Sequence, residues 1–204
     1  VDWSDPATLA MPHGLAAVVR VLDGATVPFS VRQLARMASI SATNARHSVD
    51  RLAEHGLVII DNAAGARLVR LNRKHLAAEP MVAIAALRAR TFEALRAEFA
   101  NWTVPAVHVS LYGSAARGDG DTASDLDLFV VRDDSLTGPE WDDQLAGTGE
   151  SITAWTGNWV SWFQLDPGHL ARMSAKGEPI VSEWLRDAVT LFGPPFPMLL
   201  RKIK

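Results

Sequence analysis

The chain contains no cysteine and only one tyrosine in 204 residues. Without thiols there can be no disulfide, no thiolate metal site and no cysteine nucleophile. No apolar run approaches the roughly 20 residues needed to span a bilayer, so no membrane segment is expected. Residues 1–10 include Asp2 and Asp5 and no basic cluster, unlike a signal peptide. Together these absences point to a cytoplasmic protein. Repeats and low-complexity stretches are also missing. What remains is ordinary for a globular fold, with 48% apolar and 21% charged residues. The length suits one large domain or two small ones. The net charge of −3 is unevenly spread. Residues 1–78 carry nine Lys/Arg against six Asp/Glu, while residues 79–204 carry eleven against seventeen. A mildly basic front and an acidic back suggest two units with different partners.

Residues 1–12, with Pro6 and Pro12, read as a tail or arm. Leu15, Val18, Val19 and Leu22 then recur at helical spacing until Asp23-Gly24. Ser30 is a good N-cap for a short helix over 31–38. Ser41 or Thr43 caps the next, which turns Ala45, Val49 and Leu52 inward and ends near His55 before Gly56. Extended runs at 57–60 and 66–71, joined by a turn over 61–65, read as a hairpin. The order of helices and hairpin is that of a winged helix-turn-helix. The segment FSVRQLARMASISATNARHSVDRLAEHGLVI resembles the MarR- and ArsR-type winged-helix families. That resemblance covers about 60 residues and implies DNA as partner. Its third helix would offer Ser41, Thr43, Asn44, Arg46, His47 and Arg51 to a major groove. Arg67, Arg70, Arg73 and Lys74 near the wing would reach phosphates.

Residues 79–101 read as one long helix with Ile84, Leu87, Phe92, Leu95 and Phe99 as its apolar stripe. It is a connector and a homodimerisation candidate, or else a helix packed across the second domain. Beyond it, strands are expected at 106–111, 126–131 and 158–166. Helical segments are expected near 168–176 and 179–188, with 138–147 helix or loop. The fold class is α/β (α+β), in three parts: a winged helix at 1–78, a connecting helix at 79–102 and a second domain with a small mixed sheet at 103–204.

The chemistry concentrates in LYGSAARGDGDTASDLDLFVV, residues 111–131. Gly113-Ser114 follows a strand and opens a helical turn, where glycine permits close backbone approach and free N–H groups attract phosphate. Ser114 adds a hydroxyl and Arg117 a cation one turn on. Asp125 and Asp127 stand two apart on a strand, so both carboxylates share one face. Such a pair suits a divalent cation with hard oxygen ligands, which commonly also binds substrate phosphates.

Gly113-Ser114, ten residues, then Asp125-Leu126-Asp127 resembles the GS-x10-DxD signature of minimal nucleotidyltransferases in the DNA polymerase-beta superfamily. The resemblance covers roughly 103–193. It implies ATP as substrate, Mg²⁺ as cofactor, and transfer of a nucleotide, AMP from ATP, to an acceptor. It gives Gly113, Ser114 and Arg117 to the nucleotide, and Asp125, Asp127 and Ser114 to catalysis. Small members modify partner proteins, some beside a toxin, or small molecules or RNA. The family also supplies a third carboxylate from a later strand. Here Ser161 occupies that place by its spacing to the next helix, and Asp166 is the nearest acid that could serve as a third metal ligand, with Glu150 more distant. A regulator that binds nucleotide or a partner without turnover is the alternative. Trp155, Trp159 and Trp162 read either as base-stacking rings or as core and interface. His108 reads as a structural strand histidine or as a group facing the site beside Ser110.

Overall fold

The computed structural model describes residues 1–63, 66–135 and 138–203. They form two compact units, Asp5–Ala89 and a second made of Val1–Ser4 with Arg90–Lys204.

The Asp5–Ala89 unit begins with a short 3₁₀ turn, Pro6–Leu9, and continues with α1 (His13–Asp23), β1 (Phe29–Ser30), α2 (Val31–Met37), α3 (Ala42–Glu54), β2 (Val58–Ala63), β3 (Ala66–Leu71) and α4 (Ala78–Ala85). Helix α1 buries Leu15, Val18, Val19 and Leu22, the positions its periodicity marks. A capping box starts α2: Ser30 Oγ accepts from the Gln33 N–H, and the Gln33 side chain accepts from the Ser30 N–H. Ser41 caps α3 by accepting from the Asn44 N–H at 3.1 Å, and Ala45, Val49 and Leu52 are buried below it. Gly56, at φ +73°, takes the left-handed position that ends the helix.

Strands β2 and β3 pair antiparallel from Val58–Leu71 out to Ala63–Ala66. The ladder therefore runs through Asp61 and Asn62, which the sequence reading places in a turn. Arg70, registered opposite Ile59, reaches Asp61 on the diagonal at 3.5 Å, a cross-strand ion pair. The turn positions 64–65 lie outside the described residues. Strand β1 adds to β3, giving the order β1-β3-β2. Two residues carry no readable period, so β1 has no sequence signal. Three helices followed by this hairpin make a winged helix-turn-helix.

The first twelve residues are not a loose tail. Trp3 is fully buried in the second unit, edge-on to Phe92, and the backbone N–H groups of Trp3 and Ser4 donate to the Gly120 carbonyl. Asp5 is buried in the first unit, where Arg20 donates to it at 2.9 Å and His13 Nδ1 lies at 2.6 Å. Burial works against its charge, but these two partners hold its carboxyl below the usual value.

The second unit contains α5 (Leu87–Ala100), β4 (His108–Tyr112), α6 (Gly113–Arg117), β5 (Leu126–Val131), α7 (Pro139–Thr156), β6 (Val160–Leu165), α8 (Pro167–Ala175), α9 (Pro179–Asp187), β7 (Val189–Phe192) and α10 (Phe196–Ile203). Its mixed sheet has the order β6-β5-β4-β7. β5 is parallel to β6 and antiparallel to β4, which is antiparallel to β7. Alternation along β5 divides its side chains between two cores. Leu126, Leu128 and Val130 join Leu95 and Phe99 of α5 and Leu145 and Ile152 of α7. Phe129 and Val131 join Leu170, Trp184 and Phe196 of α8, α9 and α10. Burial on both faces is why LFVV reads as a continuous apolar run.

The single helix expected over 79–101 is instead two, α4 and α5, separated at Ala86. Ala78 and Ala85 belong to the winged-helix core, whereas Phe92, Leu95 and Phe99 belong to the sheet domain. The break serves two cores, and no Gly or Pro marks it. β7 and α10 also go beyond the sequence expectation. Pro197 sits in the first turn of α10, where its missing N–H costs nothing. No described helix is long and apolar enough to cross a membrane.

Candidate functional site

The chain leaves β4 at Tyr112, turns at Gly113 and enters the five-residue α6. Gly113 has φ +69°, which favours glycine. A Cβ there would collide with Asp127 Oδ2. This is the closest sequence-to-geometry link in the site: β4 and β5 pair with Tyr112 opposite Asp127, so the Asp127 carboxylate lies over the bare Cα of Gly113. After α6 the chain folds back, and the N–H groups of Gly118, Asp119 and Gly120 converge on the Ser114 carbonyl at 2.9, 3.1 and 3.3 Å. Gly120 is pressed against Ser114; a Cβ on it would lie 2.9 Å from Ser114 Oγ. Asp121 then closes a turn by accepting from Ser124 Oγ and the Ala123 N–H. Asn158, buried just before β6, donates to the Ser124 carbonyl at 2.9 Å. Sequence reading missed Asn158, because its partner lies 34 residues away.

Asp125 is exposed and Asp127 half-buried. Burial, and next the charge of Asp125, push the Asp127 carboxyl above the usual value against the pull of Arg117. Burial and then Asp127 likewise raise the Tyr112 phenol. Arg117 bonds Asp119 at 3.1 Å and approaches Asp187 at 3.9 Å. Asp187, also unforeseen, is gripped by Arg186 through two bonds of 2.9 Å. Asp127 pairs with Ser161 in the parallel ladder of β5 and β6, so a hydroxyl stands where a third carboxylate was sought. The structure does not bring Asp166 to the pair. It follows the far end of β6, five residues beyond Ser161, about 17 Å along a strand, and it caps α8 by accepting from the His169 N–H at 2.6 Å. Asp-Pro-Gly is a helix start here, and the cap explains the acid. Among the described residues no group of three or more acidic or histidine side chains could hold a metal ion. His108 is fully buried: Nδ1 lies 2.9 Å from the Pro194 carbonyl and Nε2 2.7 Å from Ser110 Oγ. It is structural.

In the winged helix, Thr43, Arg46 and His47 are exposed on α3. Ser41 is used by its cap. The Asn44 side chain packs against Gly14 of α1, where any Cβ would overlap it. Arg51 lines a groove of about 430 Å³ with Met11, Leu15, His55 and His75, apart from the face that carries Arg46. Asp50 sits amid the basic face, bonding Arg67 at 2.7 Å and facing Arg46 at 3.9 Å. Arg70 pairs with Asp61 and Arg73 with Asp23.

Residues 93–164 match the family model described as a nucleotidyltransferase domain. No curated protein matches the chain. Among solved structures, a MarR-family transcriptional regulator from Silicibacter pomeroyi is 26% identical over 44% of this chain and 64% of its own, with a TM-score of 0.34. A DNA-binding protein from Sulfolobus solfataricus is 13% identical over 41% of this chain and 84% of its own, TM-score 0.33. A toxin–antitoxin structure with AMP-PNP is 13% identical over 56% and 82%, TM-score 0.36. These likenesses are slight, and each unit stands on its own topology. The family match runs from α5 to β6 and encloses Gly113, Ser114, Asp125 and Asp127, so it is a nucleotidyltransferase domain that residues 93–164 resemble, in a chain that also carries a winged helix-turn-helix.

Proposed function

We propose that the sheet domain is a magnesium-dependent nucleotidyltransferase that moves AMP from ATP to an acceptor, and that the winged helix binds duplex DNA. The observation that carries the first half is the Asp127 carboxylate over Gly113 at φ +69°. That contact fixes the acids of β5 against the start of α6, where the triphosphate would lie. Gly113 and Ser114 hold the phosphates through backbone N–H groups and a hydroxyl. Arg117 leaves Asp119 and Asp187 to offset phosphate charge.

Asp125 and Asp127 fit Mg²⁺. Two adjacent carboxylates, one of them made harder to ionise by burial and by its neighbour, need a cation between them and the phosphates, and Mg²⁺ commonly uses only one or two protein carboxylates there. When bound, the ion would neutralise charge on the phosphoryl oxygens. An acceptor hydroxyl attacks the α-phosphorus and pyrophosphate leaves. Ser161 opposite Asp127 favours a second reading, a DNA-binding regulator that holds nucleotide without turnover, since a hydroxyl is a poor general base.

Labelled ATP with Mg²⁺ and cell extract separates the two. Wild type should label an acceptor, with a toxin-like protein one outcome, and Asp127→Asn should not. Nucleotide binding without any labelled acceptor would establish the second reading instead.

A further inference from the structure

We infer that Trp159 is the nucleobase platform of this site. The inference rests on the nucleotide reading above. Parallel pairing sets Leu126 beside Val160 and Asp127 beside Ser161. The Leu126 N–H also donates to the Trp159 carbonyl at 2.8 Å, which puts Trp159 at the level of Asp125. Alternation does the rest. Val160 packs into the core beneath the sheet, so Trp159 and Ser161 point to the opposite face, the one that carries Asp125 and Asp127. The stem is rigid: buried Asn158 ties the preceding residue to the Ser124 carbonyl. Yet the indole itself is 74% exposed. Trp162 differs in kind. It packs in the core beside Phe99 and Trp102.

An anchored, solvent-facing indole on the strand next to the acid pair offers a flat π surface on which a base can stack. Base stacking on an aromatic ring is sequence-tolerant, because every base has a π-face, so the ring would add affinity for the base without reading its identity.

The test compares ATP with inorganic tripolyphosphate, each with Mg²⁺, by calorimetry on the full chain. Trp159→Ala should weaken ATP binding by roughly 5- to 150-fold and leave tripolyphosphate unchanged. Trp159→Phe should stay within about threefold of wild type for ATP, as a smaller ring still stacks. If ATP and tripolyphosphate both bind and Trp159→Ala alters neither, the platform is wrong while the triphosphate site stands. An equal loss for both ligands also overturns it. If Trp159→Ala spares ATP but abolishes acceptor labelling, the ring is an acceptor contact instead. Failure of wild type to bind either ligand would remove the nucleotide reading and this one with it.

Discussion

His108 makes the stability of the sheet domain depend on pH in a calculable way. Its imidazole is fully buried between Phe129 and Phe196. The neutral ring satisfies both neighbours: Nδ1–H donates to the Pro194 carbonyl, and Nε2 accepts from the Ser110 hydroxyl. Protonating Nε2 would destroy the second bond and place a charge in an aromatic core. Burial accordingly lowers its pKa to about 4, with the Pro194 bond opposing. The unfolded chain, at about 6.5, therefore binds more protons than the folded one between those values. Stability is complete above pH 6.5 and falls as pH drops toward 4. The full linkage is about 3 kcal/mol, of which about 2 kcal/mol is lost between pH 7 and pH 5. Urea unfolding should be followed at both values by tryptophan fluorescence, fitted as two transitions because the two units can unfold separately. His108→Asn, which can keep the donor to Pro194 but cannot titrate, should be less stable at pH 7 and should lose most of this pH dependence. An equal fall in wild type and variant would show that His108 is not the titrating group.

Three further outcomes follow from the geometry. Asp50→Asn should release Arg67 and Arg46, so duplex DNA should bind more tightly, with a log–log salt slope steeper by about 0.9 for each arginine that reaches a phosphate; an unchanged slope in a salt titration would place the DNA surface elsewhere. Gly113→Ala should cost about 1–2 kcal/mol for the left-handed conformation alone and should abolish ATP binding by displacing Asp127, which thermal melting and calorimetry report separately. Asp125→Asn with Asp127→Asn should erase the Mg²⁺ dependence of ATP affinity, and equal dependence in this variant and wild type would refute the carboxylate assignment.

The legible parts of this molecule share one property: their partners are near in sequence or follow from a fixed period. Ser30 and Gln33 close a capping box three residues apart. Asp125 and Asp127 share a face because strands alternate, and Gly113 precedes them by one short helix and a loop. Ser161 could be aligned by counting back from Pro167. What stayed hidden depends on distant pairing. Asn158 braces a loop 34 residues upstream, and Asp187 reaches Arg117 only because α9 returns beside α6. Both look like ordinary surface polar residues in the string. Trp3 reads as part of a tail because nothing nearby shows that Phe92 lies edge-on to it.

Asp166 shows the reverse error, a local signal with two meanings. An acid after an apolar strand can be a ligand, and an acid before Pro-Gly can be a helix cap. Only the register decides, since one strand length separates Ser161 from Asp166. The same register gives Trp159 its place beside Asp125. Pairing between β5 and β6 thus takes one expected ligand from the site and adds an aromatic ring that composition alone could not assign. The register also bears on the two readings proposed above. With a hydroxyl opposite Asp127, the proposed transferase would need another group to take the acceptor's proton, whereas the proposed sensor would need none, so that one position on the edge strand is where the two readings part.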